Sequence, residues 1–154
     1  MSKLIYLIEL WGGCPKYLLE ALQRAQNRAA RSVSKLDWST HVAELLKQCG
    51  WMSVHQLAVY HSMVLVFKII QSKSPKYLHS MFSAKYNINT KQAKKEHLQQ
   101  TKGYHLEISQ HSFRWRSLEL YNEIPLEIRN SSSLETFKKE IKSWIKTNVS
   151  IYPD

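Results

Sequence analysis

Aspartate is almost missing from this chain: two occur in 154 residues, Asp37 and Asp154. Two-metal nucleotidyl transfer needs clustered carboxylates to hold its ions, and no pair of carboxylates here flanks an aromatic-rich turn. Cysteine is as scarce, with Cys14 and Cys49 far apart. That excludes a disulfide framework and a Cys-x-x-Cys zinc site, and it points to reduced thiols in an intracellular protein, nuclear or cytoplasmic. Glycine numbers four, and neither a Gly-x-x-x-x-Gly-Lys-Ser/Thr phosphate loop nor a Gly-x-Ser-x-Gly elbow is present. The seven histidines are scattered; His105 and His111 lie near one another without partnering cysteines or acids, so they read as surface or core side chains rather than ligands. No stretch is long and apolar enough to span a bilayer. The chain is expected to carry no catalytic residue, metal or cofactor of its own.

What is abundant is positive charge and helical periodicity. Lys and Arg total 22 against 12 acids, a net charge of +10, and such an excess points to a polyanionic partner. Apolar residues make up 44%, enough for a real core in a chain of this length. The opening run Leu4 to Trp11 is apolar but short, and Glu9 interrupts it. It predicts a β-strand or strand end, and no small-residue cleavage site follows as a signal peptide would need. A domain opening inside an apolar run also suggests a piece of a longer protein.

Gly12-Gly13-Cys14-Pro15 is a break, and a helical period then runs from about Pro15 to Leu36. Leu18, Leu22, Ala25, Ala29, Val33 and Leu36 are expected to form its apolar face. Ser39 is placed to cap a second helix that ends near Gln48, where Gly50 stops it. Ser53 caps a longer helix to about Ser72, and Leu57 to Ile70 is apolar nearly all round, the mark of a buried central helix. Ser74-Pro75 opens a short amphipathic turn. Residues 84–111 are polar and read as a long exposed linker, with 103–109 alternating like a short strand. Ser112 caps a helix to about Glu123, Ile124-Pro125 breaks it, and Leu134 to Thr147 forms the last helix. The expected fold class is mostly α: a bundle of about five to six helices, a long polar linker and at most one short strand or hairpin. The expected organisation is a helical domain over 1–83, the linker over 84–111 and a helical tail over 112–154.

On the first long helix Arg24, Arg28, Arg31 and Lys35 step by four, three and four. That spacing places four cations in one stripe, with Gln23, Gln26 and Asn27 beside it as neutral donors. Such a stripe can lie along a phosphate backbone; a solvated helix face is the plainer alternative. Lys91, Lys94, Lys95 and Lys102 in the linker are sequence-blind phosphate contacts or a solubilising loop. Arg114 and Arg116 flank Trp115, a pairing that suits stacking on single-stranded bases, or a core aromatic at a helix start. The candidate nucleic-acid-binding residues are Arg24, Asn27, Arg28, Arg31, Lys35, Lys94, Lys95, Arg114 and Arg116.

Two segments together carry a resemblance. The first holds Tyr6-x4-Trp11-Gly12, then Leu22-Gln23-x2-Gln26-Asn27-Arg28-Ala29-Ala30-Arg31, Trp51-Met52-Ser53-Val54, Tyr60, Phe67-Lys68 and Ser74-Pro75-Lys76-Tyr77-Leu78. The second holds Phe113-Arg114, Tyr121-Asn122-Glu123-Ile124-Pro125-x2-Ile128-Arg129 and Ser133-Leu134-x2-Phe137-Lys138. This order resembles the C-terminal region of reverse transcriptases from non-LTR (LINE-type) retrotransposons, the helical thumb and the tail beyond the catalytic palm. It covers nearly the whole chain. Tyr121 and Ile124 stand where the family usually shows the Trp and Leu of Trp-Asn-x-Leu-Pro, and Thr90-Lys91 stands for a Thr-Arg pair. The resemblance implies a thumb-like 1–83, a non-catalytic piece of an RNA-directed DNA polymerase, and an upstream palm as partner. It implies magnesium for the parent enzyme but not for this piece. A thumb grips the backbone of an RNA–DNA or DNA duplex without sequence choice, and the Arg24 to Lys35 stripe is the natural grip.

The runner-up is a helical protein–protein interaction module whose positive charge is incidental. A binder of acidic membrane surfaces ranks last, because the basic residues are not flanked by an exposed Trp/Leu face on one helix.

Overall fold

A computed structural model describes residues 5–82 and 112–152. The expected linker over 84–111, its short strand over 103–109, and Lys91, Lys94, Lys95 and Lys102 lie outside the described residues. Eight helices and no strand occur among the described residues, so the protein is mostly α. In chain order these are α1 (Ile8–Trp11), α2 (Lys16–Ser34), α3 (Val42–Gln48), α4 (Val54–Ser72), α5 (Lys76–Phe82), α6 (Phe113–Glu123), α7 (Leu126–Arg129) and α8 (Leu134–Asn148).

The organising element is α4. Its N-terminus carries a capping box: Ser53 Oγ accepts from the Gln56 N–H at 3.1 Å, and Gln56 Oε1 accepts from the Ser53 N–H at 3.2 Å. Buried residues then occur on every side, among them Val59, Met63, Val66, Phe67 and Ile69. A helix apolar all round must be wrapped, and α1, α2, α5, α6 and α8 all pack on α4. The Phe67 ring stacks on Phe137 of α8 with centroids 4.1 Å apart. Leu118, Tyr121 and Ile124 from the α6 region, with Ile141 and Ile145 from α8, complete the same cluster. Residues 112–152 therefore share one core with residues 5–82.

The start of the chain departs from its expected form. Ile8 to Trp11 is a helical turn, not a strand. A short apolar run carries no decisive period, and tertiary packing settles it. Gly12 ends α1 where it meets α4: a Cβ there would lie 2.5 Å from Ala58 Cβ. That close approach lets Ile8 bury completely.

The connection from α2 to α4 also differs in detail. His41, not Ser39, caps α3, its Nδ1 accepting from the Ala43 N–H at 3.3 Å. Ser39 instead gives its own N–H to Asp37 Oδ1 at 3.1 Å, closing an Asx turn. At the other end of α3, Gly50 adopts a left-handed φ of 68°. The Trp51 N–H reaches Leu46 O at 2.9 Å and the Gly50 N–H reaches Lys47 O at 3.0 Å, the paired bonds of a Schellman end. Ser112 and Ser133 cap α6 and α8 by accepting from the N–H groups of Trp115 and Thr136.

Candidate nucleic-acid interface

The site is built on α2, and its chemistry follows from which face α2 buries. That face is Leu19, Gln23, Gln26, Asn27 and Ala30. The face expected to be apolar faces out: Leu18, Ala25, Ala29 and Val33 are exposed, and Leu22 and Leu36 are half-buried. The reason is the arrival of the α4 N-terminus, whose first N–H groups have no partner within their own helix. Gln23 Oε1 accepts from the Val54 N–H at 2.8 Å. The Gln23 amide Nε2 donates to Gln26 Oε1 at 2.9 Å and to Asn27 Oδ1 at 2.8 Å. Gln26 Nε2 then donates to Met52 O at 2.9 Å. Gln23 and Gln26 thus fasten α2 to the segment that leads into α4, and Asn27 holds the Gln23 amide in place. Gln56 continues the chain of bonds, giving its Nε2 to Val149 O at 2.9 Å, beyond the end of α8.

Asn27 therefore leaves the set of nucleic-acid contacts. It is 6% exposed and holds the Gln23 amide. Gln23 and Gln26, expected to flank the stripe as neutral donors, are likewise spent inside the protein. A backbone-satisfying network, rather than a ligand, accounts for all three.

With those amides facing in, the cations face out. Arg24 and Arg28 are exposed on successive turns. Arg31 is half-buried in the last turn, where the helix dipole favours a cation. Its guanidinium lies over the Trp38 ring, 5.3 Å from the centroid, and its Nε is buried without a hydrogen-bond partner among the described residues. Lys35 is exposed at the left-handed C-cap, φ 55°. Glu20 sits one turn before Arg24 on the same stripe but forms no ion pair with it. From Arg24 to Lys35 the stripe runs roughly 16 Å along the helix axis, equivalent to roughly five nucleotide steps of one strand.

The second candidate pair lies elsewhere. Arg114 and Arg116 sit on α6, which docks on α4. Both are half-buried. The Arg116 Nη2 donates to Glu9 O at 3.3 Å, pinning α1 to α6. Burial pulls the Arg116 pKa down from the ordinary guanidinium range, with the nearby Cys14 opposing that shift. Trp115 is half-buried between them. This arginine is a structural clamp, and the expected stacking site at Trp115 does not form an open platform.

The residue that sequence reasoning missed is Trp38, 74% exposed in the turn after α2. Its signal was present: an indole in a polar turn, seven residues beyond Arg31.

Elsewhere, a cavity of about 410 Å³ between α3, α4 and α8 is lined by Leu46, Lys47, Trp51, Gln56, Lys146 and Ile151, among others. No carboxylate, histidine or thiol lines it. Among the described residues, no three His, Cys, Asp or Glu side chains gather as a metal ion would need. No helix among them is long and apolar enough to cross a membrane. No protein-family model, curated protein or solved structure matches this chain.

Proposed function

We propose that this protein is a non-catalytic nucleic-acid-binding module that grips a duplex backbone without reading its sequence. Arg24, Arg28, Arg31 and Lys35 carry the grip. The supporting observation is their arrangement: one stripe, with Arg24, Arg28 and Lys35 exposed and Arg31 half-buried, on a helix whose neutral amides are committed inward. Cations spaced at four- and three-residue steps along one side of a helix lie within reach of phosphates of one strand, and they release counterions when they bind them. Nothing in such a contact touches a base edge, so it positions without specifying. In this reading the chain serves as the thumb and tail of a non-LTR retrotransposon reverse transcriptase, holding RNA–DNA or DNA duplex beside a palm supplied upstream. The resemblance in sequence order supports the assignment, and the stripe supports the chemistry.

The test is affinity for a labelled RNA–DNA hybrid across a salt series. Four phosphate contacts give a log–log slope of about −3 to −4. Replacing Arg24, Arg28 and Arg31 with Ala is expected to lower the magnitude of that slope by about 3 and to weaken binding to all sequences alike. A folded protein with flat or absent binding would turn the assignment over.

A second reading has its own support. Tyr6, just before α1, Leu10 on α1 and Tyr17 at the start of α2 are 74%, 65% and 66% exposed, and exposed apolar side chains of this size suit protein–protein contact. An interaction module would keep its partner affinity after the arginine substitutions and lose it when these residues become polar.

A further inference from the structure

Trp38 is a large indole left in water, and the interface gives it a use. The Arg31 guanidinium covers one ring face at 5.3 Å from the centroid. A cation over one face orients the ring, and at 74% exposure the rest of the indole is open to solvent. The Arg31 Nε is buried and has no hydrogen-bond partner among the described residues. Trp38 stands beside Arg31, near the C-terminal end of the cationic stripe, and follows the exposed Lys35 by three residues.

We propose that Trp38 is a stacking platform for an unpaired base next to the duplex, so that the preferred ligand is a duplex with a single-stranded extension. This rests on the phosphate-grip reading for its duplex half. A paired base hides both faces in its stack, so only an unpaired one can offer a π-face to the indole. Stacking of that kind tolerates any base, as does the stripe. The strand leaving the duplex keeps its phosphates near Lys35 while its first free base lies on Trp38. A protein partner presenting an aromatic or proline ring would also fit an open indole, but the Arg31 guanidinium on the ring, on a helix that also carries Arg24 and Arg28, favours a polyanion.

The test uses the full chain and two labelled probes: a blunt RNA–DNA hybrid, and the same hybrid with a short unpaired extension. The unsubstituted protein is expected to prefer the extended probe by at least about fivefold, the lower end for one base on an aromatic ring. Trp38→Ala removes that preference, lowering affinity for the extended probe several-fold more than affinity for the blunt hybrid, which also feels the release of Arg31 from the ring. Trp38→Phe keeps most of the preference, because the ring remains, and an unchanged circular dichroism spectrum shows that both variants fold. Equal affinity for the two probes, or a preference that survives Trp38→Ala, would overturn the proposal. The two readings fail separately. Salt-sensitive blunt-hybrid binding without an extension preference removes the platform and keeps the grip. Trp38-dependent binding of the extended probe alone removes the duplex grip and keeps the platform.

Discussion

Gln23 makes three hydrogen bonds at the junction of α2 and α4, and its loss strands a partner at each. The Val54 N–H loses its acceptor, while Gln26 Oε1 and Asn27 Oδ1 lose a shared donor. A buried group left unpaired costs about 1–3 kcal/mol, and Gln23, Gln26 and Asn27 are all buried. Gln23→Ala is expected to lower stability by about 2–3 kcal/mol, read from the urea midpoint at unchanged slope. Its neighbour Arg24→Ala, on the outer face, is expected to stay within about 0.5 kcal/mol. Equal costs for the two would contradict the division of α2 into a structural and a solvent face. Tyr121 offers a second residue-scale measurement. Burial raises its phenol to about 12, against the opposing pull of the Arg129 guanidinium. Below pH 10 the phenol is neutral in both folded and unfolded chains, so it adds no pH dependence. Between about pH 10 and 12 the unfolded chain gives up the proton while the folded chain keeps it. Stability falls across that window by up to about 1.4 kcal/mol per pH unit. Tyr121→Phe removes that component, so the gap in denaturant midpoint between variant and parent should shift in favour of the variant as pH rises from 9 to 11. A gap independent of pH would show that the phenol ionises alike in both states.

At the scale of elements, legibility in the sequence tracked how locally each element is determined. The caps Ser53 and Ser112 and the Gly50 end of α3 were readable because each acts within a few residues of itself. The buried α4 was readable because Leu57 to Ile70 leaves it no polar side. The orientation of α2 was not. Periodicity assigns the inner face to apolar side chains, yet here the inner face is chosen by N–H and C=O groups of residues 52 and 54, more than two dozen positions away. The same amide-rich motif that marks the family resemblance is thus a folding device on one side, with only its arginines left for a ligand. The cationic stripe was legible from its spacing, since four- and three-residue steps align on any helix. The Arg31–Trp38 contact was not, because it depends on how the chain turns after Ser34. Arg116 misled for a related reason. A guanidinium beside an indole reads as a base-stacking pair, but the carbonyl that claims it belongs to Glu9, 107 residues earlier.

For the whole molecule, the consequence of a central α4 is that neither end of the chain owns the core. Phe137, Ile141, Ile145, Leu118 and Ile124 are at most 1% exposed, and all pack in the cluster that surrounds Val59, Met63 and Phe67. Burying each such side chain contributes about 1.5–3 kcal/mol, so five of them supply roughly 8–15 kcal/mol. That equals the whole net stability of an ordinary domain. A chain ending at residue 82 would keep α1 to α5 but expose the α4 face that α6 and α8 cover. It is expected to lose cooperative thermal unfolding and near-ultraviolet dichroism while retaining some helix. Adding a peptide of residues 112–154 in trans should restore the cooperative transition, because the missing contacts are packing contacts rather than covalent ones. If residues 1–82 alone unfold cooperatively, α4 finds its core without its C-terminal partners. The capped N-terminus held by Gln23 and Gln26 would then be the true nucleus of the fold, and the helices after residue 112 an addition to it.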